Sequence, residues 1–216
     1  VEATFIYGID ALKDTTSQPL VDGRVWVPEM EMDSLAGFLQ TKWVIHDDLI
    51  VKAGVRRESI DLSVDDYETL KLCRSETQCS VPLQVKGDTI DYDATTYNIA
   101  IKYNWSDSFS PFFNYSQGSD IADIGRLLRA ATVDDIGLIQ TEASIIDNYE
   151  VGFTSLFDQV RLEVAAYRST SELGTTNSFN EVTGVYEPVR APQEIWGYEG
   201  LVAVSYTHLT LPTTSF

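Results

Sequence analysis

About eight short stretches of this chain alternate apolar with polar side chains, and the connections between them alternate short with long. Tyr97-Asn98-Ile99-Ala100-Ile101-Lys102-Tyr103-Asn104-Trp105 shows the pattern most cleanly. Its odd positions are large and apolar, and its even positions are small, polar or charged. A β-strand points successive side chains to opposite faces, so such a segment has one greasy face and one wet face. Few architectures accept a whole series of them.

The stretches fall at about 3–12, 35–45, 49–58, 97–105, 109–118, 148–157, 160–169 and 194–204. His46-Asp47-Asp48, Ser106-Asp107-Ser108 and Asp158-Gln159 read as tight hairpin turns. The other connections are long: up to about Asp33, then about 60–92, 119–146 and 170–192. Soluble domains rarely sustain several structureless connections of that length. An outer-membrane β-barrel has long loops on its extracellular side and short turns on its periplasmic side. Aromatic residues near strand ends, such as Trp43, Trp105, Phe109, Tyr149, Phe157, Trp196 and Tyr198, suit its interfacial girdles. The pattern therefore predicts an all-β, antiparallel transmembrane barrel.

Composition agrees. The chain has 216 residues, 44% of them hydrophobic, enough for substantial burial. It lacks a run of about 18 apolar residues that would make a membrane helix, but a barrel strand needs only about 9–11 residues. A net charge of −18 argues against a nucleic-acid partner. The polar faces predicted to line the lumen carry Lys42, Lys52, Arg56, Glu58, Lys102, Glu150, Arg161, Glu163 and Glu199. So many charges are costly inside a narrow barrel filled by its own side chains. They require a wide lumen, so these strands are expected to be one sector of a larger barrel.

Cys73 and Cys79 stand close together without a second cysteine pair or a neighbouring histidine, so a zinc site is not expected. A small disulfide across a long loop is the favoured pairing and implies an oxidising compartment. The start, Val1-Glu2-Ala3-Thr4-Phe5, has neither an initiator Met nor the basic and apolar regions of a signal peptide. An exported barrel needs one, so the beginning of the gene is expected upstream.

The tail breaks the alternation. Val204-Ser205-Tyr206-Thr207-His208-Leu209-Thr210-Leu211-Pro212-Thr213 resembles a translated sequencing-library transposase adapter, GTC-TCT-TAT-ACA-CAT-CTG-ACG-CTG-CCG-ACG. Residues 1–203 are accordingly expected to be partial barrel, and residues 204–216 adapter-derived rather than native.

Several strands carry more than periodicity. Phe38-Leu39-Gln40-Thr41-Lys42-Trp43, Asp47-Asp48-Leu49 and Ala53-Gly54-Val55-Arg56-Arg57-Glu58 resemble the barrel of TonB-dependent outer-membrane receptors. So do Phe112-Phe113-Asn114-Tyr115-Ser116-Gln117-Gly118 with Asp123-Ile124-Gly125, Asn148-Tyr149-Glu150-Val151-Gly152-Phe153, Ala165-Ala166-Tyr167-Arg168-Ser169 and Gly197-Tyr198-Glu199-Gly200. Order and spacing agree over roughly residues 3–203. Between Gly87 and Gly125 the similarity is to ferric siderophore receptors of the aerobactin-receptor-like branch. The family's plug, TonB box and C-terminal strands have no counterpart here, so plug-dependent roles cannot be assigned.

The resemblance implies about eight strands of a barrel of about 22, in the outer membrane of a Gram-negative bacterium. It implies uptake of a ferric siderophore complex, energised by the TonB–ExbB–ExbD complex through the plug. The siderophore is cargo; no resident cofactor or metal is implied. An anionic chelate needs cations and aromatics at the mouth, and the predicted extracellular loops offer Arg24, Trp26, Tyr67, Arg126, Arg129, Tyr186 and Arg190.

Catalytic residues are not identified. Gly-x-Ser-x-Gly, a phosphate-binding loop and His-Glu-x-x-His are all missing, and His46 sits at a turn. Acidic pairs such as Asp65/Asp66 and Asp134/Asp135 read as solvated loop surface. Competing readings are a porin-like barrel, a haem or cobalamin receptor, and a soluble β-sandwich binding module.

Overall fold

The computed structural model describes residues 1–71, 73, 76, 79–121, 124–129, 131–138, 143–180 and 185–205. Strands β1 (Glu2–Pro19), β2 (Val25–His46), β3 (Leu49–Val64), β6 (Asp88–Tyr103), β7 (Phe109–Asp120), β8 (Ser144–Phe157), β9 (Val160–Asn180) and β10 (Val185–Val204) form one sheet. Their spatial order is their chain order and every neighbouring pair is antiparallel. The intervening β4 (Tyr67–Glu68) and β5 (Gln84–Val85) make a separate two-stranded ribbon. Helix α1 (Ile124–Arg129) and a 3-10 turn (Ile136–Leu138) lie between β7 and β8.

The three short turns fall where the sequence placed them. Asp158, at the β8–β9 turn, adopts φ 51°, a left-handed conformation that an aspartate tolerates better than most residues. Two expected loops are corrected. The stretch up to Asp33 is a continuation of β1 and β2, joined by a turn at Leu20–Arg24 in which Gly23 has φ 84°. Most of 170–192 likewise extends β9 and β10. Among the described residues, the long connections outside the main sheet are those around 65–87 and 121–143.

The pairing register sorts side chains onto two faces. One face carries Phe5, Tyr7, Ile9, Leu35, Leu39, Val55, Tyr97, Ile99, Ile101, Tyr103, Phe113, Val151, Trp196, Tyr198 and Val202, all exposed. A water-soluble sheet would not leave so much apolar surface bare. All nine charged residues expected in the lumen share the opposite face. Several are tied there: Arg56 donates to Asp10 and Glu58, Ser34 to Glu58, Asn114 to Glu150 at 2.7 Å, and Arg161 to Glu163.

The apolar face also has a top. Moving away from the short turns, its side chains switch from apolar to charged on strand after strand. Leu35 gives way to Asp33 and Glu31, Val55 to Arg57, Tyr97 to Asp93, Tyr149 to Asp147, and Trp196 to Glu194. Ion pairs occupy this level: Lys13 with Glu31, Arg57 with Asp93 at 3.0 Å, and Arg168 with Glu194 at 2.8 Å. An apolar belt ending in a charged zone is the signature of a strand that leaves the lipid. Among the described residues no helix is long and apolar enough to cross a membrane.

Among the described residues, the buried apolar cluster lies at the end of the strands distant from the short turns. Leu62, Val64 and Tyr92 on the lumen face of β3 and β6 meet Tyr67, Val85, Ile124, Leu128 and Ile136 from the two long loops. Met30 and Met32 of β2 pack at its edge. The loops therefore fold inward, onto the lumen side of the wall.

Candidate functional site

At this mouth end, α1 lies against β2. Ile124 and Leu128, four residues apart, are the face α1 buries, which leaves Arg126 and Arg129 half-exposed. The Arg129 guanidinium carbon lies 5.1 Å from the ring centroid of Trp26, near the start of β2. That is cation–π distance. Two residues proposed from separate regions of the chain thus form one cation–aromatic pair, with Arg126 on the same short helix.

Tyr67 is part of the structure of this site rather than its surface. It is buried in the apolar cluster, and its hydroxyl donates to the Leu128 carbonyl at 2.8 Å. Burial pushes its phenol up to about 12. Arg24 sits apart, at the β1–β2 turn, where its guanidinium binds the Asp22 carboxylate at 2.7–2.8 Å and its own backbone N–H donates to the same side chain. That arginine holds the exposed Asp22 carboxyl below the usual range. Arg190 and Tyr186 belong to β10, not to a loop, and Trp26 to β2; this corrects their expected positions. Arg190 is half-buried, and the Tyr186 side chain lies outside the described residues.

Cys73 and Cys79 are joined by a disulfide and pair as an isolated antiparallel bridge in the loop between β4 and β5. Residues 206–216 of the expected adapter segment lie outside the described residues. Val204, assigned to it from sequence, pairs with Val160 as the end of β10, and Ser205 N–H donates to the Gln159 carbonyl at 2.9 Å.

Sequence reasoning missed Leu62, Val64, Val85, Leu128 and Ile136, which hold the loops in place. A signal existed: Ile124, Leu127 and Leu128 stand at helical spacing in the connection between β7 and β8.

An inside-out antiparallel meander, lipid-facing on one side and charged on the other, with a cation–aromatic mouth, defines an outer-membrane barrel wall. A family model described as TonB dependent receptor-like, beta-barrel matches residues 3–216. The chain belongs to this family, one of receptors and not of enzymes. It is 23% identical over 197 residues to a ferric aerobactin receptor of Klebsiella pneumoniae, covering 81% of this chain and 26% of that protein. It is 23% identical over 198 residues to a rhizobactin receptor of Rhizobium meliloti (strain 1021), covering 84% and 26%. The chain thus spans about a quarter of the length of these relatives. Among solved structures, the copper transporter OprC superposes with a TM-score of 0.72 at 10% identity, covering 96% of this chain and 34% of that one.

Proposed function

We propose that this chain is part of the wall and mouth of an outer-membrane receptor that imports a ferric siderophore complex. The observation that carries the reading is the Arg129–Trp26 pair beside Arg126 on the lumen-side rim. A guanidinium held over an aromatic ring offers charge to a carboxylate or hydroxamate chelate and a flat apolar surface to its backbone. The similarity to aerobactin and rhizobactin receptors supports an anionic chelate as cargo. The charged lumen face supports passage through a wide, hydrated interior. In this reading energy reaches the receptor through TonB–ExbB–ExbD, and outer-membrane lipid of a Gram-negative cell covers the apolar face.

The test is equilibrium binding of ferric aerobactin to the full-length receptor carrying Arg126→Ala and Arg129→Ala together. A loss of affinity of at least about tenfold is expected, since each charge-assisted contact contributes about 1.5–3 kcal/mol. Unchanged affinity for ferric aerobactin sinks the assignment. Haem or cobalamin binding in its place would support the neighbouring reading of a different cargo.

We also propose, from the codon match alone, that residues 204–216 are adapter-derived rather than native sequence. Resequencing the locus with a library made without that adapter tests it; recovery of the same codons would overturn it.

A further inference from the structure

We propose that the described parts of the two long connections, Tyr67–Glu68 with Leu83–Lys86 and Ile124–Arg129 with Asp134–Leu138, form one cooperative unit at the lumen mouth, so that loosening either loosens the other. Neither loop has the means to stand alone. The β4–β5 ribbon is two residues per strand and α1 is six residues long, both far below what is stable in water without partners. Each completes the other. Val85 and Tyr67 from the first loop share a core with Leu128 and Ile136 from the second. Lys86 N–H donates to the Asp134 carbonyl at 2.8 Å, Ile136 N–H returns a bond to the Lys86 carbonyl at 3.2 Å, and Lys86 forms a parallel bridge with Asp135. Their side chains approach to 3.5 Å. The Tyr67 hydroxyl adds the bond to Leu128.

Cooperative units of this kind open together or not at all. Anything that grips the arginines of α1 therefore also biases the loop 65–87, which never needs to touch it. By reciprocity, loosening 65–87 must weaken the hold of α1. The part of this inference that concerns cargo rests on the receptor reading above; the coupling itself does not.

The test is amide hydrogen exchange on the full-length receptor in detergent, without ligand, read by mass spectrometry. Leu128→Ala, in the second loop, is expected to speed exchange at Thr69 and Leu83 in the first by at least about tenfold. Both amides bond only within their own loop. Val85→Ala should do the same to Leu138. Strand amides such as Ile99 should not change. If Leu128→Ala frays only its own loop, the proposal is overturned. If it disturbs the strands too, Tyr67→Phe decides, since it removes one hydroxyl between the loops. Faster exchange at both Thr69 and Leu138 then supports a single unit, and faster exchange at one alone refutes it. Because no chelate is present, failure here is distinct from failure of the siderophore assignment.

Discussion

An arginine placed on the apolar face in mid-belt should cost far more than the same arginine on the charged face. Ile99 is the probe. It points outward from β6 between Tyr97 and Tyr103, with Ala53 and Tyr115 as its cross-strand partners. At about 3.3 Å per residue, the span from Tyr97 to Tyr103 is roughly 20 Å along the strand, so Ile99 and Ile101 flank its centre. Ile99→Arg should therefore lose about 2–4 kcal/mol, the cost of a lipid-facing arginine near the bilayer midplane. That corresponds to a folding equilibrium lowered roughly 30- to 700-fold. Ser116→Arg is the control. It faces the lumen between Asn98 and Asn148, with Glu150 on the diagonal, and should change stability by less than about 1 kcal/mol. Thr95→Arg, on the apolar face but above the belt near Arg57, should also cost under about 1 kcal/mol. The assay is reversible urea unfolding of the full-length receptor in lipid vesicles. Equal costs for Ile99→Arg and Ser116→Arg, or no fall from Ile99 to Thr95, would refute the assignment of faces.

Three further outcomes follow from the mouth. Gly87→Ala would drive its Cβ into the Val64 carbonyl oxygen and to 2.5 Å from the Asp65 carbonyl carbon, so backbone must move; limited proteolysis should then cut loop 65–87 faster while the strands resist. Tyr67 is held protonated, with its folded value near 12 above the unfolded value of 10. Its contribution is complete below pH 10 and vanishes as pH rises through 12, so Tyr67→Phe should flatten the alkaline loss of loop protection seen by hydrogen exchange. Cys73→Ser opens a ring closed over a sequence separation of 6. It should lower loop stability by about 2 kcal/mol on chain-entropy grounds, and the same loss should appear in the parent protein under reductant.

The sequence was legible where the chain has lipid on one side and lumen on the other. There the alternation is strict, as in 97–103 and 149–153, and the strands read directly from it. Above the belt the upper parts of β1, β9 and β10 have no regular alternation and read as loops, whereas Glu29-Met30-Glu31-Met32-Asp33 of β2 still alternates, with its methionines on the mouth cluster. Lys13-Asp14-Thr15-Thr16-Ser17-Gln18 has nothing apolar to alternate, yet its backbone is fully paired down to Thr16. Backbone hydrogen bonding leaves no trace in hydropathy. The mouth was half legible for a different reason. Charge and aromaticity picked out Trp26 and Arg129, but their meeting depends on α1 docking to β2, a contact between distant parts of the chain. The same criteria picked Tyr67, whose ring turned out to serve the core.

The strictly sequential order of strands has a consequence for how such a wall is made. Every pairing in the main sheet joins strands that follow one another in it, β3 and β6 across the β4–β5 loop, so the sheet can grow strand by strand with modest loop-closure entropy at each step. Growth never removes the problem it starts with, however. At each stage the first and last strands present a column of unpaired amides and carbonyls, here β1 and β10. Hydrocarbon cannot solvate them. A wall of this kind therefore keeps those edges out of hydrocarbon until they are paired.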